Sequence, residues 1–327
     1  MDDLDHIRPT GQFVAREGIR YYTRKLQRHP GFRTSSLAWR KVREFAPNAW
    51  RAATSKYRQL PSAIIVGAQK AGTTQLYEGL IRHPRCFGSS KKELNYFSKY
   101  SDRPLSWYQS QFPLVRQVMR ARGISIEASP SYLPSPQSLG RMRDLLPAVA
   151  VIVILRDPVA RAYSHYQHCR TRHQESRSFA DAVQDVIEQG AYAPESGWAI
   201  KQSALPMLDY VSRGYYALQI EALWDIYPRQ QTLILDSADL FENTSAICQQ
   251  VFDFLGLDRC NVTVNKIFNR GYYRDTIDQD VARDLRAHYR PYDQLLVDLV
   301  GRPFRWMESQ DGHSQISRSD GSARNAA

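Results

Sequence analysis

Long apolar runs are missing from this chain of 327 residues. The longest, Ala148 to Leu155, is far too short to cross a bilayer, and the polar start MDDLDHIRPT has no secretory pattern. Cysteine is scarce. Cys86, Cys169, Cys248 and Cys260 are scattered without a CxxC spacing, which excludes a zinc ribbon or a disulfide scaffold. Cys248 and Cys260 are near enough in sequence to pair in an oxidising compartment, but buried free thiols are the expected state. Acidic residues fall short of basic ones, 33 against 44, for a formal net charge of +11. That excess favours an anionic partner: a nucleotide, an acidic glycan, nucleic acid or a membrane surface. Much of it sits in the first 60 residues, so it describes an extension more than a catalytic site.

What the chain does have is one stretch around which the rest is arranged, Pro61 to Leu76, PSAIIVGAQKAGTTQL. Ala63 to Val66 read as a buried strand. A glycine loop follows, Gly67-Ala68-Gln69-Lys70-Ala71-Gly72-Thr73-Thr74, and then helical spacing with Leu76, Leu80 and Ile81 on one face. Strand, loop and helix in that order aim backbone N–H groups and a helix N-terminus at a phosphate. A nucleotide triphosphatase loop places lysine after the second glycine. Here Thr73 stands in that place, and the loop's one lysine, Lys70, lies inside it. The alternative is a purely structural glycine turn.

Gly67 to Thr74 resembles the 5′-phosphosulfate loop of sulfotransferases, which use 3′-phosphoadenosine 5′-phosphosulfate (PAPS). Its GxxKxGTT form is that of the heparan-sulfate type of carbohydrate sulfotransferase and its bacterial relatives. The resemblance implies that Gln69, Lys70, Ala71, Gly72, Thr73 and Thr74 hold the 5′-phosphosulfate. A second signature agrees. The apolar run to Leu155 reads as a central parallel strand, and Arg156-Asp157-Pro158-Val159-Ala160-Arg161-Ala162-Tyr163-Ser164 follows at once. It is similar to the family's R-D-P-x-x-R-x-x-S, which implies that Arg156 and Ser164 bind the 3′-phosphate.

The acceptor side resembles the family more loosely. Lys91-Lys92-Glu93-Leu94-Asn95 stands where the family carries its general base, which makes Glu93 the candidate base. A carboxylate there can take the proton of an attacking hydroxyl. Asn95 replaces a frequent histidine and is expected at the acceptor. Glu127, Ser129 and Tyr132 match an E-x-S-P-x-Y segment: Glu127 is the alternative base, and Ser129 and Tyr132 are expected to line the pocket. Trp107, Tyr108 and Phe112 are either a sugar platform or core. His165 and His168 follow on the helix after Arg156-Asp157; either could be a base, but ordinary helix histidines are the expected state, and His165 is carried as the further alternative base. Arg270 and Gly271 are expected in a basic loop over the nucleotide.

These readings together give an α/β fold with a P-loop-like central parallel sheet and helices on both faces. One domain is expected over 61–307, after a basic extension 1–60 and before a disordered tail 308–327. The implied reaction moves the sulfuryl group from PAPS to a hydroxyl or amine, without a metal. The acceptor is a glycan or a small hydroxyl compound, and nucleic acid is not an expected partner. The basic N-terminus could rest on a membrane surface. The golgi-type membrane anchor is not visible, so a cytoplasmic enzyme is expected. Two rivals stand beside this reading: a P-loop kinase, and a non-catalytic module for anions or glycans.

Overall fold

A computed structural model of the protein describes residues 48–188, 209–264 and 276–308. Five strands form one sheet: β1 (Ala63–Gly67), β2 (Cys86–Gly88), β3 (Ile124–Ala128), β4 (Ala150–Leu155) and β5 (Thr232–Asp236). Their spatial order is β2-β3-β1-β4-β5, and every pairing is parallel. Every residue of β1 is buried, as expected of a central strand covered on both faces. Burying side chains such as Ile64 and Ile65 contributes about 1.5–3 kcal/mol each.

The helices that position the site are α1 (Thr73–Leu80), α2 (Leu105–Ser110), α3 (Val115–Arg120), α4 (Pro136–Leu145), α5 (Pro158–Arg170) and α6 (Phe179–Glu188). Behind them come α7 (Tyr216–Ile226), α8 (Ser237–Glu242), α9 (Thr244–Phe254) and α10 (Gln279–Val300). Helix α5 starts as its sequence suggests. Asp157 caps it by accepting from Val159 N at 2.9 Å, and Pro158 occupies the first turn.

The strands β1 and β4 fall where the apolar runs place them. The three-residue edge strand β2 has no such signal. The end of the basic extension touches the domain: Arg58 Nη1 donates to Phe112 O at 2.6 Å and Gln59 N to Pro113 O at 2.9 Å. The four cysteines are free thiols. Among the described residues, no helix is long and apolar enough to cross a membrane.

Candidate active site

The strand order decides what meets what. At the carboxyl ends of β2, β3, β1 and β4, in that spatial sequence, the chain presents Glu93, Ser129, Lys70 and Arg156. Ligands in open parallel sheets bind at this end, where connections leave a central strand in opposite directions.

The loop after β1 is held tightly. Ala68 N donates to Ile154 O at 2.7 Å and Leu133 N to Val66 O at 3.0 Å. A Cβ on Gly67 would lie 2.6 Å from that of Leu133, so only glycine allows the two segments to approach this closely. Gly72 has φ 102°, and a Cβ there would also press on Leu240 and Phe241 at 3.0 and 3.1 Å. Backbone N–H groups of Gln69, Lys70 and Gly72 donate to no partner among the described residues. Beside them, α1 opens at Thr73 with no side chain hydrogen-bonded as its cap.

Arg156 Nη1 donates to Lys70 O at 2.9 Å, which ties the second signature to the first. Lys70 is half-buried and takes a left-handed backbone, φ 71°. Burial lowers its pKa first, and the charges of Arg156 and Arg172 lower it further, while Glu93 opposes them. Ser164 is buried two turns along α5 from Arg156.

On the other flank, the segment after β2 turns twice through left-handed backbone, at Glu93 (φ 61°) and Asn95 (φ 51°). Such non-glycine geometry costs energy and persists only when its surroundings fix it. Here Glu93 N donates to Ala128 O at 2.9 Å and Asn95 N to Ser129 Oγ at 3.0 Å. Asn95 Oδ1 accepts from Ser131 Oγ at 2.7 Å. Lys92 Nζ lies 3.0 Å from Glu93 Oε1 and donates to Thr73 Oγ1 at 3.3 Å. One lysine therefore links the carboxylate to the phosphate loop. The Glu93 side chain remains 50% exposed, so it can meet a second molecule.

Glu127 differs, and its expected roles are corrected. It is 0% exposed and accepts hydrogen bonds from Tyr108 Oη, from Ser129 Oγ at 2.7 Å and from Tyr132 Oη at 2.8 Å. Ser129 and Tyr132 are also 0% exposed, so neither lines an open pocket. The trio forms the wall behind the Glu93 turn, because Ser129 connects Glu127 to Asn95 N. Burial raises the Glu127 pKa against the three hydroxyl bonds. Glu127→Ala leaves those hydroxyls without their acceptor and should cost roughly 2–4 kcal/mol, read from denaturant midpoints. Because the folded pKa is raised, the contribution of Glu127 is full below its unfolded value and is lost as pH rises through the folded one. Glu127→Gln should abolish that decline in a stability-against-pH series.

His165 is corrected as an alternative base. It is 1% exposed, and burial, with Arg161, Arg213 and Lys70 beside it, holds its pKa down to about 2. It stays neutral and out of reach of an acceptor. His168 is half-buried on α5, and its pKa is lowered by burial and by Lys70 and Arg172, with Glu93 opposing. Glu93, Lys70, His168 and the exposed Arg172 thus share one electrostatic neighbourhood. The sequence leaves His168 a possible base read as an ordinary helix histidine, and it does not place Arg172, just past the end of α5, beside Lys70. Tyr108 and Phe112 are core, both 0% exposed, while Trp107 is half-buried. Arg270 and Gly271 lie outside the described residues.

A parallel α/β sheet with a lysine-bearing phosphate loop on its central strand, and a second arginine signature on the adjoining strand, defines a phosphosulfate-binding type of enzyme fold. The sulfotransferase domain family model matches residues 60–286, and the chain belongs to that family. Human bifunctional heparan sulfate N-deacetylase/N-sulfotransferase 3 is 32% identical over 205 residues, covering 61% of this chain and 22% of that protein. Mouse heparan sulfate glucosamine 3-O-sulfotransferase 3B1 is 27% identical over 274 residues, 76% of this chain and 65% of that protein. The chain thus spans about a fifth of the first relative and just under two thirds of the second. Among solved structures, a sulfotransferase from Alicyclobacillus acidocaldarius superposes with a TM-score of 0.57 at 26% identity, over 74% of this chain and 96% of that one.

Proposed function

We propose that the protein is a PAPS-dependent sulfotransferase that sulfates a hydroxyl or amine of a carbohydrate. The observation that carries the reading is the line of strand ends. It sets a cationic donor end, Lys70 and Arg156, next to an exposed carboxylate, Glu93, on a rigid turn. The carbohydrate acceptor is supported by the heparan sulfate sulfotransferases to which the chain is similar.

The site suits the donor. The partnerless N–H groups of Gln69, Lys70 and Gly72, with the start of α1, make a cradle for a phosphate. Arg156 offers a planar fork to a second phosphate, with the Ser164 hydroxyl on the helix that follows it. PAPS supplies an activated sulfuryl group whose S–O bond to the 5′-phosphate breaks as the acceptor oxygen or nitrogen bonds to sulfur. Glu93 takes the acceptor proton. Lys70 places positive charge where the bridging oxygen gathers negative charge. Lys92 holds Glu93 against the loop, so base and cation keep a fixed relation.

Calorimetry with adenosine 3′,5′-bisphosphate against ATP tests the donor end. The bisphosphate should bind at least about tenfold more tightly. Equal or tighter binding of ATP overturns the assignment and favours the kinase. Transfer from labelled PAPS to a panel of oligosaccharides and phenols tests the acceptor class. Because burial, Arg156 and Arg172 depress the Lys70 pKa, its cationic form is lost at lower pH than that of an ordinary lysine. The alkaline limb of the transfer rate should be displaced downward accordingly.

A further inference from the structure

Behind Arg156 lies a row of charges that the proposed chemistry does not use. Asp157 follows Arg156 directly, and its two oxygens have different partners. Oδ1 accepts from Val159 N at 2.9 Å and caps α5. Oδ2 lies 3.5 Å from Arg286 Nη2, which reaches it from helix α10. We infer that Arg286 is a positioning residue for the donor: it holds the Asp157 carboxylate away from Arg156 and so keeps that guanidinium for the 3′-phosphate. The inference rests on the sulfotransferase reading above and adds a residue of α10 to the donor end.

Two anions compete for Arg156. One is the incoming phosphate; the other is the carboxylate next to it in the chain. A guanidinium already paired with a carboxylate must give up that pair before it can fork onto a phosphate. The structure turns the carboxylate elsewhere. Among the described residues, the ion pair of Asp157 is with Arg286, while Arg156 Nη1 donates to Lys70 O at 2.9 Å. Arg286 and Asp157 are 37% and 24% exposed, so their pair adds little to stability. What it fixes is the direction of a charge.

Arg286 is held in place by its neighbours. Helix α10 packs against α5, and Leu285 and Tyr289 are both buried. Tyr289 Oη donates to Val211 O at 2.7 Å, which pins this turn of α10. Asp293, two turns further along, is the other acid in range of Arg286. Burial pushes its carboxyl up to about 7; the bond from Trp306 Nε1 at 3.3 Å lowers it, the Asp157 charge raises it and Arg286 lowers it. Near neutral pH Asp293 is partly protonated, so it is the weaker rival, and Arg286 pairs with Asp157.

The test uses the full chain and two nucleotides, adenosine 3′,5′-bisphosphate and adenosine 5′-phosphate, with binding read by calorimetry. The ratio of their affinities reports the 3′-phosphate alone. Arg286→Met should lower bisphosphate affinity and raise the KM for PAPS by about tenfold, the scale of one charge-assisted bond. Adenosine 5′-phosphate affinity and kcat should stay within about twofold of wild type, because neither depends on the 3′-phosphate grip. Arg286→Lys should recover most of the loss, since a single contact does not need the planar fork. Asp157→Asn added to Arg286→Met should recover it too. Asparagine still caps a helix but carries no charge to compete for Arg156. A merely structural ion pair predicts no such recovery, because its loss is complete once Arg286 is gone. Equal losses for both nucleotides, full bisphosphate affinity in Arg286→Met, or no recovery with Asp157→Asn would each overturn the assignment. Failure of the sulfotransferase reading is separate: it shows as a wild-type protein that binds the two nucleotides equally, and it takes the role of Arg286 with it.

Discussion

Glu93→Gln should lower kcat by about 10²–10⁴-fold, the usual contribution of a positioned general base. The amide nearly preserves the volume of the carboxylate and can still hydrogen-bond, but it cannot accept the acceptor's proton. The anchors of the turn are main-chain bonds, Glu93 N to Ala128 O and Asn95 N to Ser129 Oγ, and the substitution leaves them in place. Affinity for adenosine 3′,5′-bisphosphate should therefore stay within about twofold of wild type, because the donor end does not contain Glu93. Single-turnover transfer with saturating PAPS and acceptor reads the chemical step directly. A variant with full activity would disqualify Glu93. The base would then have to be His168, since Glu127 and His165 are sealed from solvent.

Lys70→Met should cost about 10²–10³-fold in kcat, the scale of removing one preorganised group aimed at developing charge. Methionine fills a similar volume, and the Lys70 carbonyl that accepts from Arg156 at 2.9 Å is main-chain and survives. The loss should therefore fall on kcat more than on donor KM. The cation works on charge that grows as the S–O bond breaks, and it binds the ground state less. If donor affinity instead fell by the whole amount with kcat unchanged, Lys70 would be a binding residue only, and the bridging oxygen would need another partner. Arg172, exposed and electrostatically coupled to Lys70, is the nearest candidate for that role.

Much of this was legible in the sequence, for physical reasons. Ala63 to Val66 and Ala148 to Leu155 announce buried parallel strands, because a strand covered on both faces has no polar alternation to hide it. Gly67, Gly72 and Arg156-Asp157-Pro158 mark backbone geometry that few other residues tolerate. The acceptor side was harder. β2 is a three-residue edge strand without periodicity, yet it delivers Glu93 to the site. Its place in the sheet, outside β3 and not beside β1, cannot be read from chain order. Glu127 carried every mark of a second catalytic carboxylate. What a sequence cannot say is that Tyr108, from helix α2, folds over it and closes it off. His168 and Arg172 belong to the same difficulty, since the direction of a helix face depends on what packs against it.

The Arg156–Lys70 bond has a consequence for timing. It joins the two loops proposed to grip the nucleotide through protein atoms alone, so their spacing is set before any donor arrives. A template fixed in this way discriminates by length: an adenosine with one phosphate too few or misplaced leaves a gap that the loops cannot shift to fill. The enzyme would then reject abundant cellular nucleotides at the docking step, without a moving gate to do so.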